Sequence, residues 1–310
     1  MRITIVGTGG VGGYFGARLA QGGCDVGFVA RGTHLAALRE HGLRVESQLG
    51  EIHLPKIRVS DDPVALGPAD YVFICVKLWD TEAAVRAAAP IVGSETAVIS
   101  FQNGVQKDEL LRRILGEKPI VGGVGYIGSK INRPGVIGHT GTMQRLVFGE
   151  YDGTRSPRVT ALHEACVRGG INAEISADIR RSIWEKFVFL VGLSATTTSM
   201  RSTLGPIVSN SRTRAFLLDI LREVVAVGRA QGVRLPEDFA EARLAFCESL
   251  PAEMDSSMHA DLDNGNRLEL DWLSGAVVEL GSSVNVPTPT NRAVRDILTL
   301  HTHGKRAAHA

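Results

Sequence analysis

Residues 2–21 read "RITIVGTGGVGGYFGARLAQ". A β-branched run over 2–7 ends in glycines, and a helical stretch follows from Val11 to Gln21. Gly7, Gly9 and Gly12 between them spell G-x-G-x-x-G. Alone, that pattern is weak. After a strand and at the opening of a helix, it marks a turn that cradles the pyrophosphate of a dinucleotide. Gly7 permits the tight turn, Gly9 lets backbone approach the phosphates, and Gly12 lets helix and strand pack closely. The helix start adds free N–H groups and a positive dipole end. The candidate cofactor-binding set is therefore Gly7, Thr8, Gly9, Gly10, Val11 and Gly12. The competing reading is a plain glycine-rich connection.

The alternation continues outward from this turn. Strands are expected at 25–31, 71–77 and 96–104, and helices at 35–42, 80–92 and 105–115. "RVES" and "EIHLPKIRV" read as a hairpin-like excursion, and the stretches at 120–141 and 145–150 as strands with turns that close the sheet. Strand, helix, strand, helix is the pattern of a parallel sheet covered on both faces. From about Ser156 the pattern turns helical, over 157–169, 179–200, 206–231, 236–248 and 267–282. The expected fold class is α/β, a doubly wound sheet followed by an all-helical C-terminal domain. The expected domains are 1–170 and 171–310, with the frayed end in "HTHGKRAAHA".

Bulk properties exclude several classes. The 310 residues suffice for two domains, and 44% hydrophobic with 22% charged residues suits a globular protein. A net charge of +1 without a basic run argues against nucleic-acid binding. No stretch of 18 residues is continuously apolar, so no membrane span is expected. The start lacks the pattern of a signal peptide, and the cytoplasm is the default compartment. Four scattered cysteines and nine histidines without ligand spacing argue against a metal site or a disulfide framework.

Three positions lie at strand ends, where open α/β sheets bind ligands. Arg31 follows the second strand, where an NAD protein usually places a carboxylate for the ribose 2′-hydroxyl. A guanidinium there pairs with a 2′-phosphate and favours NADPH, unless Arg31 is only a surface residue. Lys77 could serve the phosphates or the adenine, or be a solvated strand end. Asn103 in "SFQNG" is equally an ordinary Asn-Gly turn. In "IWEKFVFLVGLSATTTSM" (183–200), Lys186 is followed by 14 residues without a charge. It either snorkels at the helix start or is held there for chemistry.

These pieces together resemble the ketopantoate reductase (2-dehydropantoate 2-reductase) family over essentially the whole chain. The resemblance rests on "GTGGVGGYFGARLA", "VAR", "VFICVK", "SFQNGV", "IWEKF" and "SSMHADLDNGNRLELDWLSGAVVELGSSVNVPTPTN" (256–291), the last being the most specific. It implies a Rossmann-type NADPH domain, a helical substrate domain and an active site in the cleft between them. It also implies reduction of a 2-oxo acid by hydride transfer, with pantothenate biosynthesis as the default pathway. Carried over by position, the catalytic lysine is Lys186, and the substrate-binding glutamate that acts with it is Glu269. Ser257 holds the substrate carboxylate, Asn103 lies near nicotinamide and substrate, and Arg31 takes the 2′-phosphate. The resemblance is compatible with a homodimer.

One departure concerns the substrate. Members typically carry asparagines one and two turns after the lysine, and here those positions hold Leu190 and Ser194. Ser194 can still bond a substrate and Leu190 cannot. The alternatives are thus a reductase of a more apolar 2-oxo acid, or an NADPH-binding redox sensor without turnover. Dehydrogenases of 6-phosphogluconate or 3-hydroxyacyl type share the frame, but the 256–291 block and Arg31 count against them.

Overall fold

A computed structural model describes residues 1–305. The chain forms two compact units. The first comprises Met1–Asn103 and Lys107–Ser182; the second takes Gly104–Gln106 and the chain from Ile183 onward.

The first unit opens with β1 (Arg2–Val6), α1 (Gly10–Gln21), β2 (Asp25–Val29) and α2 (Gly32–His41). It continues with β3 (Leu43–Ser47), β4 (Ile52–Leu54), β5 (Arg58–Ser60), β6 (Tyr71–Ile74), α3 (Thr81–Ala88), β7 (Ala97–Ser100) and α4 (Lys107–Leu115). The long strands β8 (Ile120–Arg133) and β9 (Val136–Gly149) follow, then α5 (Pro157–Arg168) and β10 (Asn172–Ile175). Strands β5-β2-β1-β6-β7-β8 are parallel neighbours. This is the dinucleotide-binding order, reversing between β1 and β6. Alternate residues enter opposite layers: Ile5, Phe73 and Ile99 pack in one core, and Val6, Ile74 and Val98 in the other. Burial on both faces explains why these strands read as unbroken apolar runs.

Beyond Val121 the sheet changes character. β8 pairs antiparallel with β9, which pairs parallel with β3 and with β10. β4 closes the hairpin with β3, as the excursion was expected to do, but β5 leaves it to pair parallel with β2. The first unit also runs past the expected boundary at 170, to Ser182. The reason is β10, whose pairing with β9 adds the stretch 172–175 to the sheet.

The second unit is helical: most of α6 (Ile179–Met200), then α7 (Leu204–Ser209), α8 (Ser211–Ala230), α9 (Phe239–Glu248), α10 (Ser257–Asn264), α11 (Ser274–Ser283) and α12 (Pro289–Leu298). Its core joins Phe187, Val188 and Val191 of α6 to Leu217, Leu221 and Val224 of α8, with Val277 and Val294 from the last helices. The helix expected over 206–231 is two helices. Asn210 divides them, its side-chain oxygen accepting from the Arg212 and Thr213 N–H groups of α8. α12 starts at Pro289 and is anchored from α8. The Glu223 carboxylate accepts from the Thr290 N–H at 2.7 Å, the Asn291 N–H at 2.8 Å and the Asn291 side chain at 2.7 Å. A carboxylate there satisfies orphan donors and suits the helix dipole. The "PTPTN" segment thus has a structural task.

The expected frayed end falls partly outside the described residues. Within them, 299–301 form a 3-10 turn and the Lys305 N–H donates to the Gly265 carbonyl at 2.9 Å. Among the described residues no helix is long and apolar enough to cross a membrane. The four cysteines are free thiols. Burial raises the pKa of Cys24, and pushes Cys75, Cys166 and Cys247 up to about 12.

Candidate active site

The turn after β1 is built around backbone. The Gly7 and Thr8 N–H groups both donate to the Val29 carbonyl, at 3.2 and 3.1 Å, and the Thr8 hydroxyl joins them at 2.9 Å. Gly7 has φ +102°, and a Cβ there would stand 2.7 Å from the Val76 nitrogen. A Cβ on Gly12 would strike the Gly7 carbonyl oxygen, and one on Gly10 the Ser129 carbonyl. Gly9 differs: a Cβ there would meet nothing within 4 Å. Gly9 is also the N-cap of α1, which has no side-chain cap and no acidic residue in its first turn. The orphan N–H groups of Gly10, Val11 and Gly12 therefore face no protein acceptor of their own helix. An anion with its own oxygens fits this opening.

At the end of β2, Arg31 is exposed and is the N-cap of α2. Its guanidinium makes no hydrogen bond or ion pair among the described residues. The cation is uncommitted, unlike Arg39 and Arg58, which pair with Asp61 and Asp25.

The ends of β6 and β7 are tied together by a residue that sequence reasoning did not single out. The Gln102 side-chain N–H₂ donates to the Val76 carbonyl and to the Thr81 hydroxyl, both at 2.8 Å, while its oxygen accepts from Ser100 at 2.9 Å. This fixes the loop carrying Lys77 against the loop carrying half-buried Asn103. The Lys77 ammonium lies 5.6 Å from the centre of the Trp79 ring. Below the same loop lies a buried cation, also unmarked in the sequence. The Lys107 ammonium donates to the Ser100 and Gly123 carbonyls, at 2.9 and 3.0 Å, and to Asp108 at 2.9 Å. The Tyr151 hydroxyl donates to the same carboxylate at 2.6 Å. Burial lowers the pKa of Lys107, and Asp108 opposes that shift.

In the second unit, α6 carries Lys186, Leu190 and Ser194 one turn apart. Lys186 and Leu190 are half-buried, so the lysine stands at the margin of the apolar run, while 191–198 are all buried. Thr196 and Thr197 donate back to the Gly192 and Leu193 carbonyls, each at 2.8 Å. The buried Ser194 hydroxyl has no partner among the described residues. Thr197 also bonds Ser256 at 2.8 Å, tying α6 to the start of α10. Ser256, not Ser257, caps α10, accepting from the His259 N–H at 3.1 Å. Ser257 is therefore free to be the exposed hydroxyl of the first turn. Glu269 is a buried carboxylate, 7% exposed, at the entry to a 3-10 turn over 270–272. The structure thus gathers the glycine turn, Arg31, Lys77 and Asn103 at the strand ends of the first unit. Lys186, Ser194, Ser257 and Glu269 belong to the second.

A glycine-rich turn at the switch point of a doubly wound sheet, in a chain with a second, helical unit, is the frame of a dinucleotide-dependent oxidoreductase. Comparison with known proteins narrows the class. The chain belongs to the ketopantoate reductase PanE/ApbA family, whose N-terminal model matches residues 3–153 and whose C-terminal model matches 178–301. It is an oxidoreductase acting on CH–OH groups. A 2-dehydropantoate 2-reductase of Mesorhizobium japonicum is 34% identical, over 95% of each chain. The crystal structure of a PanE/ApbA family ketopantoate reductase from Ralstonia eutropha JMP134 has a TM-score of 0.89 at 32% identity, covering 97% of this chain and 98% of that one. A D-mandelate dehydrogenase with NADH and anilino(oxo)acetate has the same fold, with a TM-score of 0.88 at 20% identity, covering 97% and 98%.

Proposed function

We propose that this protein uses NADPH to reduce a 2-oxo acid, with 2-dehydropantoate as substrate and pantoate as product. The observation that carries the cofactor reading is the pairing of an open, uncapped α1 N-terminus with an uncommitted guanidinium at the end of β2. Gly9 to Gly12 hold the pyrophosphate, Arg31 the 2′-phosphate, and Lys77 supports the adenosine end. The bound nicotinamide supplies hydride to the carbonyl carbon. Asn103 donates its side-chain amide beside that carbonyl and orients it. Lys186 stabilises negative charge growing on the carbonyl oxygen and donates the proton that makes it a hydroxyl. Glu269 binds the substrate's polar end, while the Ser257 hydroxyl holds the substrate carboxylate. Ser194 offers its unpartnered hydroxyl to the same ligand.

Gly9→Ala tests the cofactor half. The added methyl enters open space, so the variant folds with an unchanged melting temperature. The methyl occupies the approach of the phosphates, and affinity for NADPH falls about 100-fold, read by fluorescence titration. Unaltered affinity removes the turn from the cofactor site.

Leu190 favours a second reading, in which the preferred oxo acid is more apolar than 2-dehydropantoate. A site without a polar partner for a substrate hydroxyl gains little from it. NADPH oxidation with a panel of 2-oxo acids separates the two. Turnover of 2-dehydropantoate well above that of oxo acids lacking its hydroxyl upholds the first reading; the reverse order upholds the second.

A further inference from the structure

His34 lies on α2, three residues after Arg31, and no role attaches to it in the reading above. Its ring is half-buried and makes two hydrogen bonds, both to backbone. The Gly135 N–H meets Nδ1 at 3.1 Å, and Nε2 meets the Thr8 carbonyl oxygen at 2.8 Å. A backbone N–H can only donate, so Nδ1 is the acceptor and Nε2 carries the proton. Burial favours this neutral form by lowering the ring's pKa, against an opposing contribution from the Thr8 carbonyl. No carboxylate or ammonium lies within ion-pair reach of the ring among the described residues.

The two partners matter because of what each is attached to. Thr8 is fixed at its other end, its N–H and hydroxyl both bonding the Val29 carbonyl. The Thr8 carbonyl and the Gly9 N–H belong to one planar peptide and point in opposite directions. Holding the oxygen therefore aims the Gly9 N–H, at the residue whose Cα faces open space. Gly135 is the turn between β8 and β9 and is itself held, its carbonyl accepting from the Arg44 N–H of β3 at 3.0 Å. The same hairpin touches the glycine turn a second time, where Ser129 closes over Gly10. His34 is the side chain that braces the turn against this sheet.

We infer that His34 is a positioning residue for the dinucleotide, fixing the Thr8–Gly9 peptide so that the Gly9 N–H is aimed at a phosphate before the cofactor arrives. Preorganisation of this kind shows in affinity, because the free turn no longer has to be ordered on binding. The inference rests on the cofactor reading proposed above.

The test compares His34→Leu and His34→Gln with wild type, by NADPH fluorescence titration, melting temperature and steady-state kinetics. Leucine fills the space without either bond. Glutamine carries one acceptor and one donor and can make both. The expected dissociation constant for NADPH rises about 10-fold in His34→Leu and returns to within about 3-fold of wild type in His34→Gln. The loss falls on the KM for NADPH and leaves the KM for the oxo acid in place. A purely structural role would lower the melting temperature of His34→Leu and leave the dissociation constant of the folded protein unchanged; that result overturns the inference. So does a glutamine variant that binds as weakly as the leucine variant. Wild-type protein that does not bind NADPH overturns the cofactor reading and this inference with it.

Discussion

Lys186→Ala is expected to lower kcat/KM for oxo acid reduction by about 10³-fold while NADPH still binds. Two contributions disappear together. The ammonium is the proton donor, and general acid catalysis is worth about 10²–10⁴ in rate. It also opposes the negative charge that develops on the carbonyl oxygen, a contribution of similar size at comparable sites. Both are realised mainly in the transition state, so the loss appears in kcat more than in the KM for the oxo acid. Lys186→Arg separates them. Arginine keeps a positive charge and cannot release its proton at ordinary pH, so it restores part of the stabilisation and little of the proton transfer. Stopped-flow NADPH oxidation under single-turnover conditions reads the chemical step directly. An alanine variant within a few-fold of wild type would leave Lys186 an ordinary half-buried lysine on the face of α6.

Arg31→Glu is expected to reverse the cofactor preference. Hydrogen bonds to a charged group are worth about 1.5–3 kcal/mol, so losing the guanidinium costs NADPH about 10–150-fold in affinity. The introduced carboxylate repels the 2′-phosphate and adds to that loss. The same carboxylate can accept from the 2′-hydroxyl of NADH, so NADH affinity holds or improves. Since the Arg31 guanidinium has no protein partner among the described residues, the substitution removes no side-chain bond that supports the fold. Side-by-side titrations with NADPH and NADH decide it. Equal losses for the two cofactors would show that Arg31 does not meet the 2′ position.

How much of this was legible in the sequence depends on the range over which each feature acts. The glycine turn, the flanking strand and the helix could be read because steric demands within a dozen residues dictate them. The parallel core was legible for a similar reason, since strands buried on both faces must be apolar throughout. β10 was not, because "NAEI" is short and its side chains are at most half-buried. α10 and α12 were missed for lack of a long apolar stripe; α12 depends on a carboxylate 67 residues away. Gln102, Lys107 and His34 looked like ordinary polar residues. Each bonds at least one backbone atom brought up by a different part of the chain, as distant as 101 residues for His34. Arg31 could be read as a 2′-phosphate ligand from its place after the second strand. Asn103 and Lys186 drew attention by position or by the oddness of a charge, but only the family resemblance gave them roles. Ser257 is exposed while its neighbour Ser256 does the capping, a division of labour that a doubled serine does not reveal.

The thiols have a chemical consequence. Peroxides and electrophiles attack the thiolate, and burial pushes three of these thiols up to about 12, which keeps them protonated at neutral pH. Cys75, Cys166 and Cys247 are thus poor targets for sulfenic acid formation, and none of them stands among the residues proposed for the reaction. The chemistry proposed for this reductase therefore calls on none of the four thiols.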